Sequence, residues 1–198
     1  MDPSTANSVR AQSAAVSSDE LLMNAFARGE NDAFGELFTR YKQPIFGFFW
    51  RRVADRAQAE ELSQETFVAV IRAAPRYEPN AQFRTYLYAI AQKILRAYRR
   101  KAAFRATFMG APPDHAEPAA ESCVVTQLFV REALRILDNV DREILLLREF
   151  EQMSYAEIAD LLDLPVNTVR SRLFRARTAL RELLTAGSRE TKKPEENL

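Results

Sequence analysis

Cysteine, histidine, tryptophan and glycine are scarce in this chain of 198 residues, with one, one, one and five copies. A single Cys cannot form a disulfide within the chain, which fits a reducing cytoplasm. His115 and Cys123 are a poor metal pair because no other soft ligands accompany them. We therefore expect no metal site and no cofactor. The acids, the serines and the single His also form no catalytic constellation, so an enzyme is not expected.

The chain also lacks an apolar run long enough to cross a bilayer, so direct membrane insertion is not expected. Its first residues lack the basic flank and apolar core of a signal peptide. The formal net charge of +1 says little, whereas the distribution of charge is informative. Basic residues cluster in two predicted helices, and the acids lie elsewhere.

Apolar residues make up 47% of the chain and recur at helical spacing, which together with the scarcity of Gly predicts an all-α fold. We expect two small helical domains joined by a flexible linker rich in Pro and Ala. The predicted divisions are a disordered start, an N-terminal helical bundle, the linker, a C-terminal helix-turn-helix domain and a charged tail, at residues 1–16, 17–103, 104–123, 124–185 and 186–198.

Within the first domain, Ser17 and Glu20 fit a capping box that opens a helix over residues 19–28. A second helix is expected after Asn31, and Pro44 is expected to open a further segment, residues 45–53. The aromatic cluster of that segment favours a hydrophobic core.

Residues 154–184 predict two helices joined by a tight turn. Ser154 and Glu157 fit a capping box, and Pro165 stands just ahead of the second helix. On a helical wheel, Val169, Leu173 and Ala176 share a stripe that must face a core, with Leu180 and Leu183 continuing it.

The opposite face of that second helix carries guanidinium groups, hydroxyls and one aromatic ring, and no acid occurs between Asp163 and Glu182. Such a face suits the DNA major groove, where Arg bonds guanine and Phe contacts a thymine methyl group. The alternative is an ordinary solvated arginine-rich face. The candidate contacts are Thr168, Arg170, Ser171, Phe174, Arg175 and Arg177.

Two further helices carry charge in patterns with more than one interpretation. In the helix of residues 57–74 the acids crowd the first half, which either complements the helix dipole or forms a docking face for a basic partner. The helix of residues 83–101 has Phe83, Leu87, Ile90 and Ile94 on its inner stripe. Arginines and tyrosines elsewhere on that helix suit an opened DNA strand, although the tyrosines could instead flank the core.

These motifs resemble the extracytoplasmic-function group of bacterial sigma factors in the sigma-70 family. Residues 58–67, QAEELSQETF, are similar to the core-polymerase-binding segment, and residues 83–91, FRTYLYAIA, to the promoter-melting helix. Residues 154–159, SYAEIA, and 168–177, TVRSRLFRAR, are similar to the domain that binds the −35 element. Departures include Tyr86 in place of Trp, and Lys93 and Ala97 where Asn and Asp are frequent.

The resemblance implies a promoter-specificity subunit that binds core RNA polymerase through the clamp helices of its largest subunit and through the flap region. The implied polymerase contacts are Gln58, Glu60, Glu61, Leu62, Gln64, Glu65 and Phe67. The implied contacts to the −10 element and to the melted non-template strand are Tyr77, Asn80, Tyr86, Gln92, Arg96, Arg99 and Arg100.

The resemblance also implies control, commonly by an anti-sigma factor and in some members by phosphorylation, for which Ser63 and Thr66 are candidates. The alternative function is a free-standing helix-turn-helix regulator. That alternative leaves the first domain unexplained and offers no extra apolar helix for a dimer.

Overall fold

The computed structural model describes residues 18–53, 55–79, 81–109 and 125–190. Helices and short connections account for all of these residues, without a strand among them, so the all-α prediction is confirmed. No helix in these ranges is long and apolar enough to cross a membrane. The helices are α1 (Asp19–Ala27), α2 (Asn31–Val53), α3 (Arg56–Ala73), α4 (Phe83–Met109), α5 (Val125–Ile136), α6 (Asn139–Glu149), α7 (Tyr155–Leu162) and α8 (Val166–Glu190), with a 3-10 turn at Ala74–Arg76.

The chain divides into two compact units, Met1–His115 with α1 to α4 and Ala116–Leu198 with α5 to α8. Helix α4 runs to Met109, six residues into the predicted linker. The segment has no helix breaker until Gly110 and Pro112, and Thr107 donates its hydroxyl to the Ala103 carbonyl at 2.9 Å. Residues 110–124, which hold the rest of the predicted linker, and the expected disordered start lie outside the described residues.

The first unit is held together by α2, whose aromatic rings fill the space between α3 and α4. Phe48 and Phe49 are fully buried and meet edge to face at 5.1 Å between ring centroids. Tyr88 of α4 packs edge-on against Phe48 at 5.6 Å. Phe48 and Phe49 therefore belong to the core, as expected, whereas Phe46 and Trp50 of the same segment are half-buried.

Pro44 lies inside α2 and does not open a separate segment, which corrects the expectation. A proline within a helix costs about 3 kcal/mol because it removes one backbone hydrogen bond. Tyr41 and Ile45, on either side of it, are both buried on the same face. Each buried side chain of this size contributes ~1.5–3 kcal/mol, so burial along the whole face offsets the proline.

The start of α1 also differs from the expectation. Ser18 caps the helix by accepting from the Leu21 backbone nitrogen at 3.3 Å. Ser17, the other residue of the predicted capping box, lies outside the described residues, and the carboxylate of Glu20 accepts from the Phe83 backbone nitrogen at 2.9 Å. Asp19 accepts from Arg40 at 2.5 Å and from the Tyr41 hydroxyl. These two acids attach α1 to α4 and to α2.

The second unit packs α6, α7 and α5 against α8. Ile144 and Leu147 of α6 and Ile158 of α7 are fully buried in its core. Val169, Leu173 and Ala176 of α8 are buried as the wheel predicts, and Leu180 and Leu183 are half-buried. This burial fixes the orientation of α8 and leaves its other face in solvent.

The turn between α7 and α8 forms as the sequence predicts. The capping box of Ser154 and Glu157 is present in both directions, at 3.2 and 2.8 Å. Asp163 ends α7 in the left-handed conformation with φ of 57°, and the Leu164 nitrogen donates back to the Ala159 carbonyl at 2.9 Å. Pro165 then precedes the first residue of α8.

We expect the Ser154→Ala variant to lower the free energy of unfolding of the second unit by about 1 kcal/mol, because it removes the N-cap of α7. Urea denaturation followed by circular dichroism measures the change. Thr185→Ala, which removes a hydroxyl exposed on α8, is the control and should change the unfolding free energy little. Equal losses in both variants would contradict the capping role.

Candidate nucleic-acid interface

The solvent face of α8 is formed by the side chains that the sequence predicts as DNA contacts. Arg170, Ser171, Phe174 and Arg175 are all exposed, and Phe174 presents 72% of its surface to solvent. Thr168 is half-buried and accepts the Ser171 hydroxyl on its backbone carbonyl at 3.0 Å. Phe174 therefore adds an apolar ring to a face that is otherwise polar and basic.

Tyr155, at the start of α7, lies between two guanidinium groups. Arg148 is 5.1 Å and Arg170 is 5.7 Å from its ring centroid, both in cation–π geometry. Arg148 also donates to the Met153 carbonyl at 2.7 Å, and this hydrogen bond fixes its position beside Tyr155. The ring therefore positions Arg170 at the edge of the α8 face.

Two other arginines of α8 bind within the unit. Arg172 donates to Asp141 at 2.8 Å and to Asp138 at 3.4 Å, which places it as a link between α8 and the start of α6. Arg177 donates to one oxygen of Glu149 through Nε at 2.9 Å. The sequence groups Arg177 with the DNA contacts, whereas the structure engages it with α6, so we leave it out of the base-reading set.

The exposed face of α4 carries only basic charge. Arg96, Arg99 and Arg100 are exposed, Lys93 is exposed one turn before Arg96, and no acid occurs in the whole helix. Acids are also absent from its first turn, where Arg84 stacks over Tyr88 with its guanidinium 5.7 Å from the ring centroid. Such a row of cations is suited to binding along a phosphate backbone.

Gln92 is buried in the first unit, and its predicted role in DNA contact is wrong. Only 3% of its surface is exposed, although the sequence places it opposite the inner stripe. The reason is that α4 packs against α1, α2 and α3, so its buried face takes in Tyr88, Ala91 and Leu95 as well. At ~100° per residue the buried positions cover about half of the helix circumference.

An aromatic cluster lies at the start of α4. Tyr77 meets Tyr86 at 5.2 Å and Phe83 at 6.4 Å, and burial raises the pKa of both tyrosines. The Tyr77 hydroxyl is buried and has no hydrogen-bond partner among the described residues. Tyr77 therefore supports the start of the helix, and Tyr86 is half-buried. Asn80 lies outside the described residues.

The outer face of α3 is acidic and partly apolar. Glu60, Glu61, Gln64 and Glu65 are exposed as expected for a docking surface, and Gln58 is half-buried and donates to Glu61 at 2.9 Å. Val68 and Ile71 are also exposed on this face, by 42% and 43%. The sequence analysis did not name Val68 and Ile71 as docking residues. Their position away from the inner stripe of α3 is the signal that identifies them as exposed.

Leu62 and Phe67, predicted as polymerase contacts, are buried, which corrects that prediction. Phe67 packs edge-on against Phe38 of α2 at 4.9 Å. Both residues belong to the inner side of α3 because three- and four-residue spacing returns them to the same face as Ala59 and Val70. They position the docking face without forming it.

Ser63 and Thr66 are buried and bonded within α3. Their hydroxyls donate to the carbonyls of Ala59 at 2.5 Å and Leu62 at 2.9 Å. A kinase would have to unfold α3 to reach either hydroxyl, so the structure does not support them as phosphorylation sites.

No group of His, Cys, Asp and Glu able to hold a metal ion occurs within the described ranges. His115 and Cys123 lie outside those ranges. The features that remain are two basic helical faces in separate units and one acidic, partly apolar face. They define a helical DNA-binding protein with a further protein-docking surface.

Comparisons with known proteins give the family. The family described as "Sigma-70 region 2" matches residues 37–104, and "Sigma-70, region 4" matches residues 130–180. The RNA polymerase sigma-H factor of Pseudomonas aeruginosa is 34% identical over 186 residues, which cover 87% of this chain and 96% of that protein. The ECF RNA polymerase sigma-E factor of Haemophilus influenzae is 30% identical, with 80% and 91% covered.

Solved structures agree with these sequence matches. CnrH, solved in complex with the cytosolic domain of CnrY, is 28% identical with a TM-score of 0.62 and covers 85% of this chain and 97% of its own. The sigma factor RpoE of Bartonella quintana, solved with the anti-sigma factor NepR, has a TM-score of 0.64 at 22% identity, covering 77% and 96%, and supports the fold.

The chain belongs to the sigma-70 family of RNA polymerase sigma factors, in the extracytoplasmic-function group. Sigma factors bind core RNA polymerase and promoter DNA and start transcription, and they are not enzymes. The alternative of a free-standing regulator is thereby excluded, because the region 2 match accounts for the first unit.

We expect Arg175→Ala and Arg172→Ala to have different effects. Arg175 is exposed and makes no ion pair with any described residue, so its loss should weaken duplex promoter binding by ~1–3 kcal/mol and relax one base preference. Arg172→Ala should lower the unfolding free energy of the second unit and leave base preference unchanged. Binding titrations on a set of single-base promoter variants, with parallel urea denaturation, separate the two effects. An unchanged base preference in Arg175→Ala would contradict direct readout.

Proposed function

We propose that the chain directs RNA polymerase to a promoter of two elements, with α8 reading the −35 element and α4 holding the opened −10 element. The observation that carries this proposal is the pair of exposed basic faces on α8 and α4, each fixed by a closed core in its own unit. One such face would account for DNA binding alone, whereas two different faces fit the recognition of duplex DNA and of an opened strand.

The α8 face supports recognition of duplex DNA. Its exposed residues combine two guanidinium forks, a hydroxyl and an apolar ring, which together match the donors, acceptors and methyl groups of the major groove. Its turn from α7 is short and capped, and Val169 and Leu173 bury one side of the N-terminal half of α8, which leaves the other side in solvent. The proposed base contacts are Arg170, Ser171, Phe174 and Arg175, with Thr168 near the phosphates.

The α4 face supports capture of a single strand. Its cations follow one side of the helix, and the half-buried ring of Tyr86 lies at its start. An aromatic ring beside a cationic track is the usual arrangement for unpaired bases. We assign Tyr86 to the junction of paired and unpaired DNA, and Arg96, Arg99 and Arg100 to the backbone of the non-template strand. The role of Asn80 in capturing a flipped base stays a prediction.

The α3 face supports docking on core polymerase. It presents Glu61, Glu65, Val68 and Ile71 together, so it offers both charge for a basic partner and apolar area to bury. This arrangement favours the docking interpretation of the acids over a purely dipolar one, because the acids continue beyond the first turn. We place the clamp helices of the largest subunit on this face and the flap region on the second unit.

Control by an anti-sigma factor belongs to the same proposal. The structures of CnrH and of the Bartonella quintana RpoE were both solved with a protein partner, NepR being named as an anti-sigma factor. A transcription factor of this group acts where the polymerase and the nucleoid are, so we place the chain in the cytoplasm.

Run-off transcription with purified core polymerase tests the function. Promoters are first selected from a randomised DNA library with the reconstituted holoenzyme. We expect transcripts that start downstream of a shared pair of elements, and none from core alone. A correctly folded chain that binds core but selects no promoter would refute the proposal.

We expect Glu65→Lys to weaken core binding about tenfold, which corresponds to ~1.4 kcal/mol. Glu65 is exposed on the proposed docking face, and reversal of its charge opposes a basic partner. Glu30→Lys, an equal charge change on the exposed turn between α1 and α2, is the matched control. Fluorescence titration of labelled protein with core polymerase at two salt concentrations measures both. Equal weakening in the two variants would contradict the location of the surface.

A further inference from the structure

Glu20 connects two elements that are far apart in sequence. It lies in the first turn of α1, and its Oε1 accepts a hydrogen bond from the backbone nitrogen of Phe83, the first residue of α4, at 2.9 Å. The two residues are 63 positions apart. The carboxylate therefore lies at the start of its own helix and at the start of α4.

Helix α4 lacks the residues that normally stabilise a helix start. Gln82 precedes it and accepts the first helical hydrogen bond, from the Tyr86 nitrogen at 3.1 Å, but glutamine is not among the favoured N-cap residues. Its first turn contains no acid and does contain Arg84, a cation at the positive end of the helix dipole. Glu20 supplies from α1 both the acceptor and the negative charge that the local sequence omits.

The same contact is continuous with the aromatic cluster at the start of α4. Phe83 packs against Tyr41 at 5.5 Å and against Tyr86 at 6.3 Å. Tyr41 in turn donates its hydroxyl to Asp19, the neighbour of Glu20. The hydrogen bond from Phe83 also lowers the pKa of Glu20, so the carboxylate stays charged at neutral pH. Two adjacent acids of α1 thus fix Phe83. Glu20 accepts from its backbone nitrogen, and Asp19 accepts from Tyr41, which packs against its ring.

We propose that Glu20 is a positioning residue for promoter opening: it fixes the start of α4 and, through Phe83, the position of Tyr86 at the edge of the opened DNA. Helix α1 carries none of the residues proposed to contact DNA or polymerase, so this role is additional to the contacts already assigned. The inference rests on the proposed role of α4 in holding the −10 strand.

The test uses holoenzyme assembled from the full chain and a promoter that the wild-type holoenzyme opens. Glu20→Ala should lower the formation of open complexes about tenfold, read by permanganate reactivity of unpaired thymines. The affinity of this variant for core polymerase should stay within about twofold of wild type. The affinity of its holoenzyme for −35 duplex DNA should do the same. Glu20→Gln keeps a carbonyl acceptor without the charge and should recover part of the loss.

A stability control separates positioning from general destabilisation. Val53→Ala removes a buried side chain from the same unit, at the C-terminal end of α2. Val53→Ala should lower the unfolding temperature at least as much as Glu20→Ala does. At a temperature where both variants are folded, its open-complex formation should stay near wild type. The inference is overturned if Glu20→Ala opens the promoter as well as wild type, or if Val53→Ala loses opening to the same extent.

The same measurements show which level of the argument fails. If the wild-type holoenzyme opens no promoter, the proposed function is wrong. If the wild type opens the promoter and Glu20→Ala does so equally, only the positioning role of Glu20 is wrong.

Discussion

A row of arginines can face solvent on one side of a helix only if the other side is buried firmly enough to fix the helix. This constraint governs both units of the chain. Helix α8 is fixed by Val169, Leu173 and Ala176, and α4 by a set that includes Leu87 and Leu95, all of them buried. Neither helix gains much from its own charges, because like charges at three- and four-residue spacing repel. Burial on one face is therefore what makes a purely basic opposite face possible.

The two helices satisfy this constraint differently, and the difference matches their proposed targets. Helix α8 buries a narrow stripe and leaves a broad face, which a wide groove can surround. Helix α4 buries positions that span about half of its circumference, and Lys93, Arg96, Arg99 and Arg100 remain exposed on the other half. A cationic face with an aromatic ring at its start suits a single strand. The buried positions of each helix thus decide which of its side chains are left to face DNA.

Local patterns predicted the helix-turn-helix well and the first unit less well. The Ser154 capping box, Pro165 and the stripe of α8 act within a few residues, so the sequence alone shows them. Gln92 was misplaced because a wheel shows one stripe and cannot show a second helix packing beside it. The contact of Glu20 with Phe83 spans 63 residues and has no local pattern. Leu62 and Phe67 were assigned from a motif that does not distinguish residues that form a surface from residues that support it.

The division into two compact units, each with its own core, has a consequence for how such proteins diversify. Substitutions on the solvent face of α8 leave the core of the first unit unaltered, because that core is built from α1 to α4. Recombination between relatives within residues 110–124 would join an intact first unit to a different second unit. A lineage could in this way acquire a new upstream promoter element in one genetic event while it retained its polymerase and its strand-opening helix.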